Sequence, residues 1–232
     1  MSAVALVPAL NEAERIAATV TAIATVPGID RVLVIDDGST DDTARRACAA
    51  GAEVLSLQAN AGKGRALAAG LDALDDDVDI VLFLDADLGP TATEAAALLA
   101  PVRAGEADMA IATLPRPPRS GGIGLVKGLA RWGIRRLGGF DATAPLSGQR
   151  ALSRAAWQSA LPFPSGFGIE VALTVRVCRA GLRVREVPTT MQHAVTGRDL
   201  AGFRHRGRQF VAVAFALLRL ALERQSAGVI GG

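Results

Sequence analysis

The 232-residue chain is half apolar and 21% charged, a composition that excludes a disordered segment and fits a folded domain. Aromatic residues make up only 4% and tyrosine is absent, so a base-stacking surface for nucleic acid is not expected. The two cysteines, Cys48 and Cys178, lie in apparent helices, which excludes a disulfide framework and favours a reducing, cytoplasmic setting. The opening residues lack the basic start of a signal peptide.

The net charge of +2 conceals an asymmetry between the two halves of the chain. Residues 1–114 contain 7 Lys and Arg against 18 Asp and Glu, whereas residues 115–232 contain 18 against 5. One interpretation is that the two halves simply attract each other. The other is that the first half holds a cation and the second half holds anionic substrate groups.

The first half of the chain alternates short apolar runs with helical patterns. Continuous Val, Ile and Leu runs indicate strands that helices cover on both faces, which predicts an α/β fold with a mostly parallel sheet. The predicted strands are 3–8, 31–36, 53–57, 79–84 and 108–113, and the predicted helices are 12–25, 41–50, 63–75 and 91–103.

The second half begins with a proline- and glycine-rich segment, which predicts a mobile loop at 115–122. Further helices and one more strand follow it. The predicted elements are a helix near 123–137, a helix ending near 179, a strand within 181–188 and a basic, apolar helix over 200–224.

Polar clusters follow three of the predicted strands. Asn11 and Glu12 follow the first strand, Asp36 and Asp37 end the second, and Asp85-Ala86-Asp87 ends the fourth. Ligands of parallel α/β sheets bind beyond the carboxyl ends of the strands, so these clusters indicate a binding site.

Asp85 and Asp87 come one residue apart after the apolar strand DIVLFL. Two carboxylates at the mouth of a cleft are suitable ligands for Mg²⁺ or Mn²⁺, which would in turn hold a diphosphate. Lys63 lies in a glycine-flanked turn before a helix. It is either a contact for a phosphate or a base, or an ordinary surface lysine. The spacing of a P-loop is missing.

The segments VPALNEA, VIDDGSTDDT, NAGKGRAL and FLDADL resemble family 2 glycosyltransferases of the GT-A fold over residues 1 to about 115. The resemblance implies that the first segment lines a uridine or guanosine pocket, that Asp37 faces the base with Lys63 nearby, and that the D-x-D segment approaches ribose, diphosphate and cation. Asp87 is implied as a catalytic residue that binds the metal. The implied donor-binding residues are Pro8, Ala9, Leu10, Glu12, Asp37, Lys63, Asp85 and Ala86.

The segments PLSGQRAL, PFPSGFGIEVAL and MQHAVTGRDL resemble glucosyl-3-phosphoglycerate synthases and related retaining enzymes. This resemblance implies a sugar and acceptor site at Leu146-Ser147-Gly148, a catalytic contact from Glu170, and His193 as a metal ligand beside Asp85 and Asp87. From the residues alone, His193 is either a ligand or a polar surface group.

The region from Thr196 to Arg208 is the densest basic run of the chain. Arginine binds phosphate through paired hydrogen bonds, so Thr196 and Arg198 are candidates for an anionic acceptor, with a solvated helix face as the alternative. The apolar run QFVAVAFALLRLAL then predicts a core helix, a homodimer surface or a peripheral membrane contact.

The expected organisation is a nucleotide-sugar-binding part at 1–114, an acceptor-binding part of the same domain at 115–199 and a C-terminal helix and tail at 200–232. The predicted function is metal-dependent, retaining hexosyl transfer from a UDP- or GDP-sugar, with UDP-glucose favoured, to a phosphorylated small acceptor such as 3-phosphoglycerate. Alternatives are a membrane-surface polyprenyl-phosphate glycosyltransferase, a nucleotidylyltransferase and a non-catalytic sugar-nucleotide sensor. Nucleic acid is not an expected partner.

Overall fold

The fold is built on a seven-stranded sheet, seen in a computed structural model that describes residues 1–114, 124–164, 168–192 and 210–223. The predicted loop at 115–122 lies outside these residues. The strands are β1 (Ser2–Ala9), β2 (Arg31–Asp36), β3 (Glu53–Ser56), β4 (Val78–Phe83), β5 (Met109–Thr113), β6 (Arg150–Ser153) and β7 (Val184–Pro188).

Helices cover both faces of this sheet. A 3-10 helix (Gly89–Glu94) leads directly into α4, so the predicted helix over 91–103 is partly of the tighter 3-10 type. The helices are α1 (Ile16–Ala24), α2 (Thr43–Ala49), α3 (Lys63–Asp72), α4 (Ala95–Arg103), α5 (Gly124–Gly138), α6 (Arg154–Ser159), α7 (Ile169–Arg179) and α8 (residues 210–223).

The strand order is β3-β2-β1-β4-β6-β5-β7, and β6 is antiparallel to both of its neighbours. All other neighbouring strands are parallel, as the apolar runs predict. Alternate residues of β1 enter different cores: Ala5 and Val7 pack toward α1 and α4, and Val4 and Leu6 pack toward α3 and α7. The sheet therefore separates two apolar layers, and the carboxyl ends of β1, β2 and β4 open at one edge.

β6 is the element that the sequence pattern does not predict. The four-residue strand begins with Arg150 and follows Gln149, and both polar side chains are buried. A pattern search for apolar runs misses such a strand, because Gln149 bonds to Asp85 and Arg150 to Thr174, both distant in the chain.

The start of the first predicted helix is wrong by four residues, since α1 begins at Ile16 and not at residue 12. Asn11 has a φ of 55°, its N–H donates to Ser39 Oγ, and its side-chain oxygen accepts the Thr40 N–H at 2.8 Å. These bonds hold the segment after β1 against the segment after β2, which keeps it out of the helix.

A third apolar core lies among α5, α7 and α8. Val213, Leu217 and Leu220 of α8 are buried in it, so the core-helix interpretation applies to this face of α8. The opposite face of α8 is exposed, and so are Leu125 and Trp132 of α5. Within the described ranges, we find no helix with the length and apolar character needed to cross a bilayer.

Candidate active site

The Asp85 carboxylate, at the open edge of the sheet, is held by two side chains. Lys63 Nζ lies 2.6 Å from its Oδ1, and Gln149 Nε2 donates to its Oδ2 at 2.6 Å. The Gln149 side-chain oxygen also accepts the Asp85 backbone N–H at 2.9 Å. The segment that follows β4 is thus held both by the start of α3 and by the residue that precedes β6.

Lys63 connects Asp85 with the start of α7, because its Nζ also lies 3.4 Å from Glu170 Oε1. Burial lowers the pKa of Lys63, but the charges and hydrogen bonds of Asp85 and Glu170 outweigh burial and leave that pKa above its ordinary value. The ammonium group therefore balances two carboxylates that come from opposite halves of the chain.

Gly148 lies against this charged group. A β-carbon at Gly148 would overlap Lys63 Nζ and lie 3.1 Å from an Asp85 oxygen, so a residue with a side chain would displace the lysine. The two preceding residues differ in environment. Leu146 packs against the core of α5, α7 and α8, whereas Ser147 is buried and its Oγ has no hydrogen-bond partner among the described residues.

Asp37 orders the loop before α3. Its two carboxylate oxygens accept the N–H groups of Ala61 at 2.7 Å and Gly62 at 2.9 Å. Its own N–H donates to the carbonyl of Ala9, the last residue of β1. Asp37 therefore sits between the predicted nucleoside-lining residues and Lys63, with its oxygens engaged by backbone donors.

The segment after β1 places the remaining predicted donor residues at the same edge. Pro8 and Ala9 end β1, while Leu10 is 38% exposed at the open side. Glu12 follows, with Arg15 at 3.2 Å from its Oε2.

Glu12 lies in the electrostatic field of Asp87. Burial raises the pKa of the Glu12 carboxyl; the hydrogen bond and charge of Arg15 lower it, and the charge of Asp87 raises it, with a net upward shift. Ala86 is fixed between the two aspartates, since its carbonyl accepts the hydroxyl of Thr19 at 2.8 Å. The carboxylates of Glu12 and Asp87 thus repel each other across the edge of the sheet.

Asp85, Asp87 and Glu12 provide carboxylate oxygens, the type of ligand that a hard divalent cation prefers. Among the described residues, however, no group of three or more His, Cys, Asp or Glu side chains has the geometry of a metal site. The predicted ligand His193, together with the predicted acceptor residues Thr196 and Arg198, lies outside the described residues.

Gln149 and Arg150 are site-supporting residues that sequence reasoning missed. Arg150 is 1% exposed, and it donates to the Ser147 carbonyl at 2.9 Å and to Thr174 Oγ1 at 2.8 Å. The Thr174 hydroxyl in turn donates to the Glu170 carbonyl at 2.8 Å. Burial lowers the pKa of Arg150 to about 10, which leaves it charged at neutral pH. The sequence feature that could have indicated them is the occurrence of two polar residues between Gly148 and a short apolar run.

Comparison with known proteins gives a family match and a set of relatives. The family model described as "Glycosyl transferase family 2" matches residues 4–135. Glycosyltransferase AglJ of Haloferax volcanii is 34% identical over 204 residues, which cover 84% of this chain and 64% of that protein. Glucosyl-3-phosphoglycerate synthase of Mycobacterium tuberculosis is 34% identical over 193 residues, which cover 73% of this chain and 59% of that protein. The chain thus spans about three fifths of the length of these curated relatives.

Solved structures of the mycobacterial synthase are similar over nearly the whole chain. A complex with Mn²⁺, UDP-glucose and phosphoglyceric acid has a TM-score of 0.76 at 30% identity and covers 94% of this chain and 79% of that chain. A complex with Mg²⁺ and UDP has a TM-score of 0.78 at the same identity and coverage. These matches, with the mostly parallel sheet, confirm the predicted α/β fold of the GT-A type.

Proposed function

Because the chain belongs to glycosyl transferase family 2, we propose that it moves a hexosyl group from a nucleotide-diphosphate sugar to a phosphorylated small acceptor. The observation that carries the proposal is the arrangement of Lys63 between Asp85 and Glu170. Lys63 joins Asp85, which follows β4, to Glu170 in the second half of the chain. One site can then receive a donor and an acceptor side by side.

UDP-glucose is the donor that we favour, since it is present in a similar solved structure. Pro8, Ala9 and Leu10 would line the nucleoside, with Asp37 and Glu12 at the edge of the same pocket. Asp37 contributes partly through the loop that it holds, because its oxygens accept two backbone N–H groups. A rigid loop costs less ordering free energy when the nucleotide binds.

Asp87, with Asp85 and His193, would hold Mg²⁺ or Mn²⁺, and similar solved structures contain these cations. The cation would neutralise charge on the leaving nucleoside diphosphate. Asp85 already accepts from Lys63 and Gln149, so we assign it mainly to orienting the site and Asp87 mainly to the cation. The mutual repulsion of Glu12 and Asp87 is a further reason why a cation would bind at this edge.

The acceptor would lie near Leu146-Ser147-Gly148 and Glu170, and 3-phosphoglycerate is our favoured example. Glycine at position 148 lets the backbone come close to Lys63 and Asp85, because a β-carbon there would overlap Lys63 Nζ. Glu170 would orient the sugar or the acceptor hydroxyl, and Thr196 and Arg198 would contact its anionic group. In a retaining transfer the acceptor oxygen bonds to the anomeric carbon on the face that the diphosphate leaves, and the hydroxyl proton passes to the departing phosphate oxygen.

Product analysis tests this proposal directly. The chain is incubated with UDP-glucose, Mn²⁺ and 3-phosphoglycerate, and the product is identified by mass spectrometry and the anomeric configuration by NMR. We expect a glucosylated acceptor with retained configuration and a loss of kcat of about hundredfold in Glu170→Gln, because a misplaced reacting group costs that much. Glu14→Gln, at an exposed position of the first half, is the matched control. Absence of transfer from every nucleotide sugar tried would contradict the proposal and favour a sensor.

A polyprenyl phosphate is a second candidate acceptor. The exposed apolar faces of α5 and α8 favour it, because a lipid-borne acceptor is presented at an apolar surface. The same assay with polyprenyl phosphate in detergent micelles, in place of 3-phosphoglycerate, distinguishes the two acceptors by which one yields product.

A further inference from the structure

Large exposed apolar side chains are concentrated on two neighbouring helices. Among the described residues, nine large apolar side chains are exposed, and all except Met1 and Leu10 belong to α5 or α8. On α8 the exposed residues Val211, Phe215 and Leu218 follow the i, i+4, i+7 spacing of one helix face. On α5 they are Leu125, 80% exposed, and Trp132, 62% exposed.

The two apolar stripes adjoin each other. α5 and α8 approach so closely that a side chain at Gly133 would overlap Leu217. Trp132 is next to Gly133 along α5, and Leu218 is next to Leu217 along α8. The buried residues Val126, Ala130 and Ile134 occupy the inner face of α5, so helical periodicity places Trp132 and Leu125 on the solvent side of this contact.

Basic residues are interspersed with these apolar ones. α5 carries Lys127, Arg131, Arg135 and Arg136 and no acidic residue, and all four are exposed. On α8 the Arg219 guanidinium lies 5.0 Å from the centre of the Phe215 ring. The one acidic residue in the described part of α8, Glu223, pairs with Arg176 at 2.6 Å. The surface is therefore both apolar and cationic.

We propose that this α5–α8 surface, formed by Leu125, Trp132, Arg136, Val211, Phe215, Leu218 and Arg219, docks the protein onto an anionic lipid bilayer. Exposed apolar side chains enter the boundary between headgroups and acyl chains, a tryptophan is favoured at that depth, and the cations meet lipid phosphates. The interaction is reversible, because the helices lie on the bilayer and do not cross it.

Charge favours a bilayer over a second copy of the chain. A twofold pair formed through this surface would place Arg136 and Arg219 opposite the same cations of the second copy. The described helices offer no unpaired carboxylate between them, and Asp141, just after α5, is already paired with Arg131 at 2.9 Å. Anionic headgroups neutralise those cations instead. The surface also adjoins the candidate site, since a β-carbon at Gly168, two residues before Glu170, would lie 2.7 Å from Ala216 of α8.

Vesicle flotation tests the docking without substrate or metal, so its outcome is independent of the proposed transferase activity. The full chain is mixed with vesicles of phosphatidylcholine, with or without phosphatidylglycerol. We expect flotation with the anionic vesicles and a blue shift of the Trp132 fluorescence, whereas the second tryptophan, Trp157, is packed against a core. Trp132→Phe should abolish the shift.

Two pairs of substitutions separate the contributions. Phe215→Ser with Leu218→Ser should abolish flotation while the thermal unfolding midpoint stays near that of the wild type, because both side chains are exposed. Arg136→Gln with Arg219→Gln should weaken vesicle binding about 25-fold, at about fivefold for each cation lost near the membrane. Arg45→Gln with Arg65→Gln, at exposed positions on α2 and α3, makes the same change in charge and should leave binding unaltered.

Three outcomes would overturn the proposal. The first is an absence of flotation with every vesicle, and the second is equal binding to neutral and anionic vesicles. The third is a wild-type protein that does not bind vesicles but forms a dimer in light scattering, where Phe215→Ser with Leu218→Ser dissociates the dimer. The last result would assign the surface to a second copy of the chain.

Discussion

At the scale of single residues, the charge balance of the candidate site depends on the uncharged side chain of the buried residue Gln149. Gln149 gives Asp85 an amide donor and accepts from its backbone, whereas Lys63 compensates both Asp85 and Glu170. One ammonium group thus faces two carboxylates, and a third carboxylate in contact with them would have no cation of its own. An amide at position 149 avoids that excess of negative charge.

Gln149→Glu tests this argument. The new carboxylate would lie within hydrogen-bond distance of Asp85 Oδ2, so we expect a loss of about 1–3 kcal/mol in the free energy of unfolding and weaker donor binding at neutral pH. The defect should shrink as the pH falls, because two adjacent carboxylates can share a proton.

Urea unfolding and donor titration at about pH 5 and about pH 8 measure this effect. Gln158→Glu, an exposed glutamine on α6, is the matched control. A Gln149→Glu protein as stable as this control at both pH values would show that the amide has no such role.

Sequence patterns predict the residues that end strands better than those that support them. Asp85 and Asp87 were identifiable because they follow an apolar strand. Lys63 was identifiable because it begins a helix after a glycine, and Glu170 because it lies in the first turn of a helix that follows a glycine. Gln149 and Arg150 carry no such signal, since their partners lie 64 and 24 residues away along the chain. Their buried positions become evident only when the sheet is assembled.

At the scale of elements, α5, α7 and α8 form a layer beside the site, and glycines set their spacing. Gly133 faces Leu217 of α8. At Gly128, on the same helix, no atom from another part of the described chain lies within 4 Å of the position of a β-carbon. Substitutions at the two glycines therefore separate the effect of helix propensity on stability from the effect of packing against α8.

Gly128→Ala should stabilise the protein by up to about 1 kcal/mol, the difference in helix propensity between the two residues. Gly133→Ala gains the same propensity but overlaps Leu217, so we expect a net destabilisation of about 1–3 kcal/mol. Thermal and urea unfolding of the two variants gives the comparison. Equal stabilisation by both substitutions would mean that α8 does not pack against α5 in this way.

The elements themselves were predictable where periodicity was strong. The five strands of the first half and the strand within 181–188 are confirmed, and β1, β2 and β4 are the ones richest in Val, Ile and Leu. β6 could not be predicted, since its antiparallel position between β4 and β5 depends on two buried polar residues. The helix start at residue 12 was wrong because hydrogen bonds to the segment after β2 compete with the first helical turn.

At the scale of the whole molecule, the charge asymmetry has a structural part, whereas its role in binding a cation and anionic substrate groups stays a prediction. Ion pairs join the halves at Arg183–Asp108, 3.0 Å, and Arg185–Glu106, 2.7 Å, so part of it is structural. In the candidate site, Lys63 and Glu170 also pair across the two halves, but here the cation comes from the first half and the carboxylate from the second. The first half places its carboxylates at the sheet edge, and α5 and α8 place their cations on an outer surface.

The central claim is that Asp87 and its neighbours form a metal-dependent site for a nucleotide sugar. Isothermal titration of UDP-glucose, with and without Mn²⁺, tests it in the wild type, in Asp87→Asn and in Asp77→Asn, an exposed aspartate in the turn before β4. We predict Mn²⁺-dependent binding in the wild type and in Asp77→Asn, and at least about tenfold weaker binding in Asp87→Asn. Binding of donor and Mn²⁺ by Asp87→Asn with wild-type affinity would contradict the account.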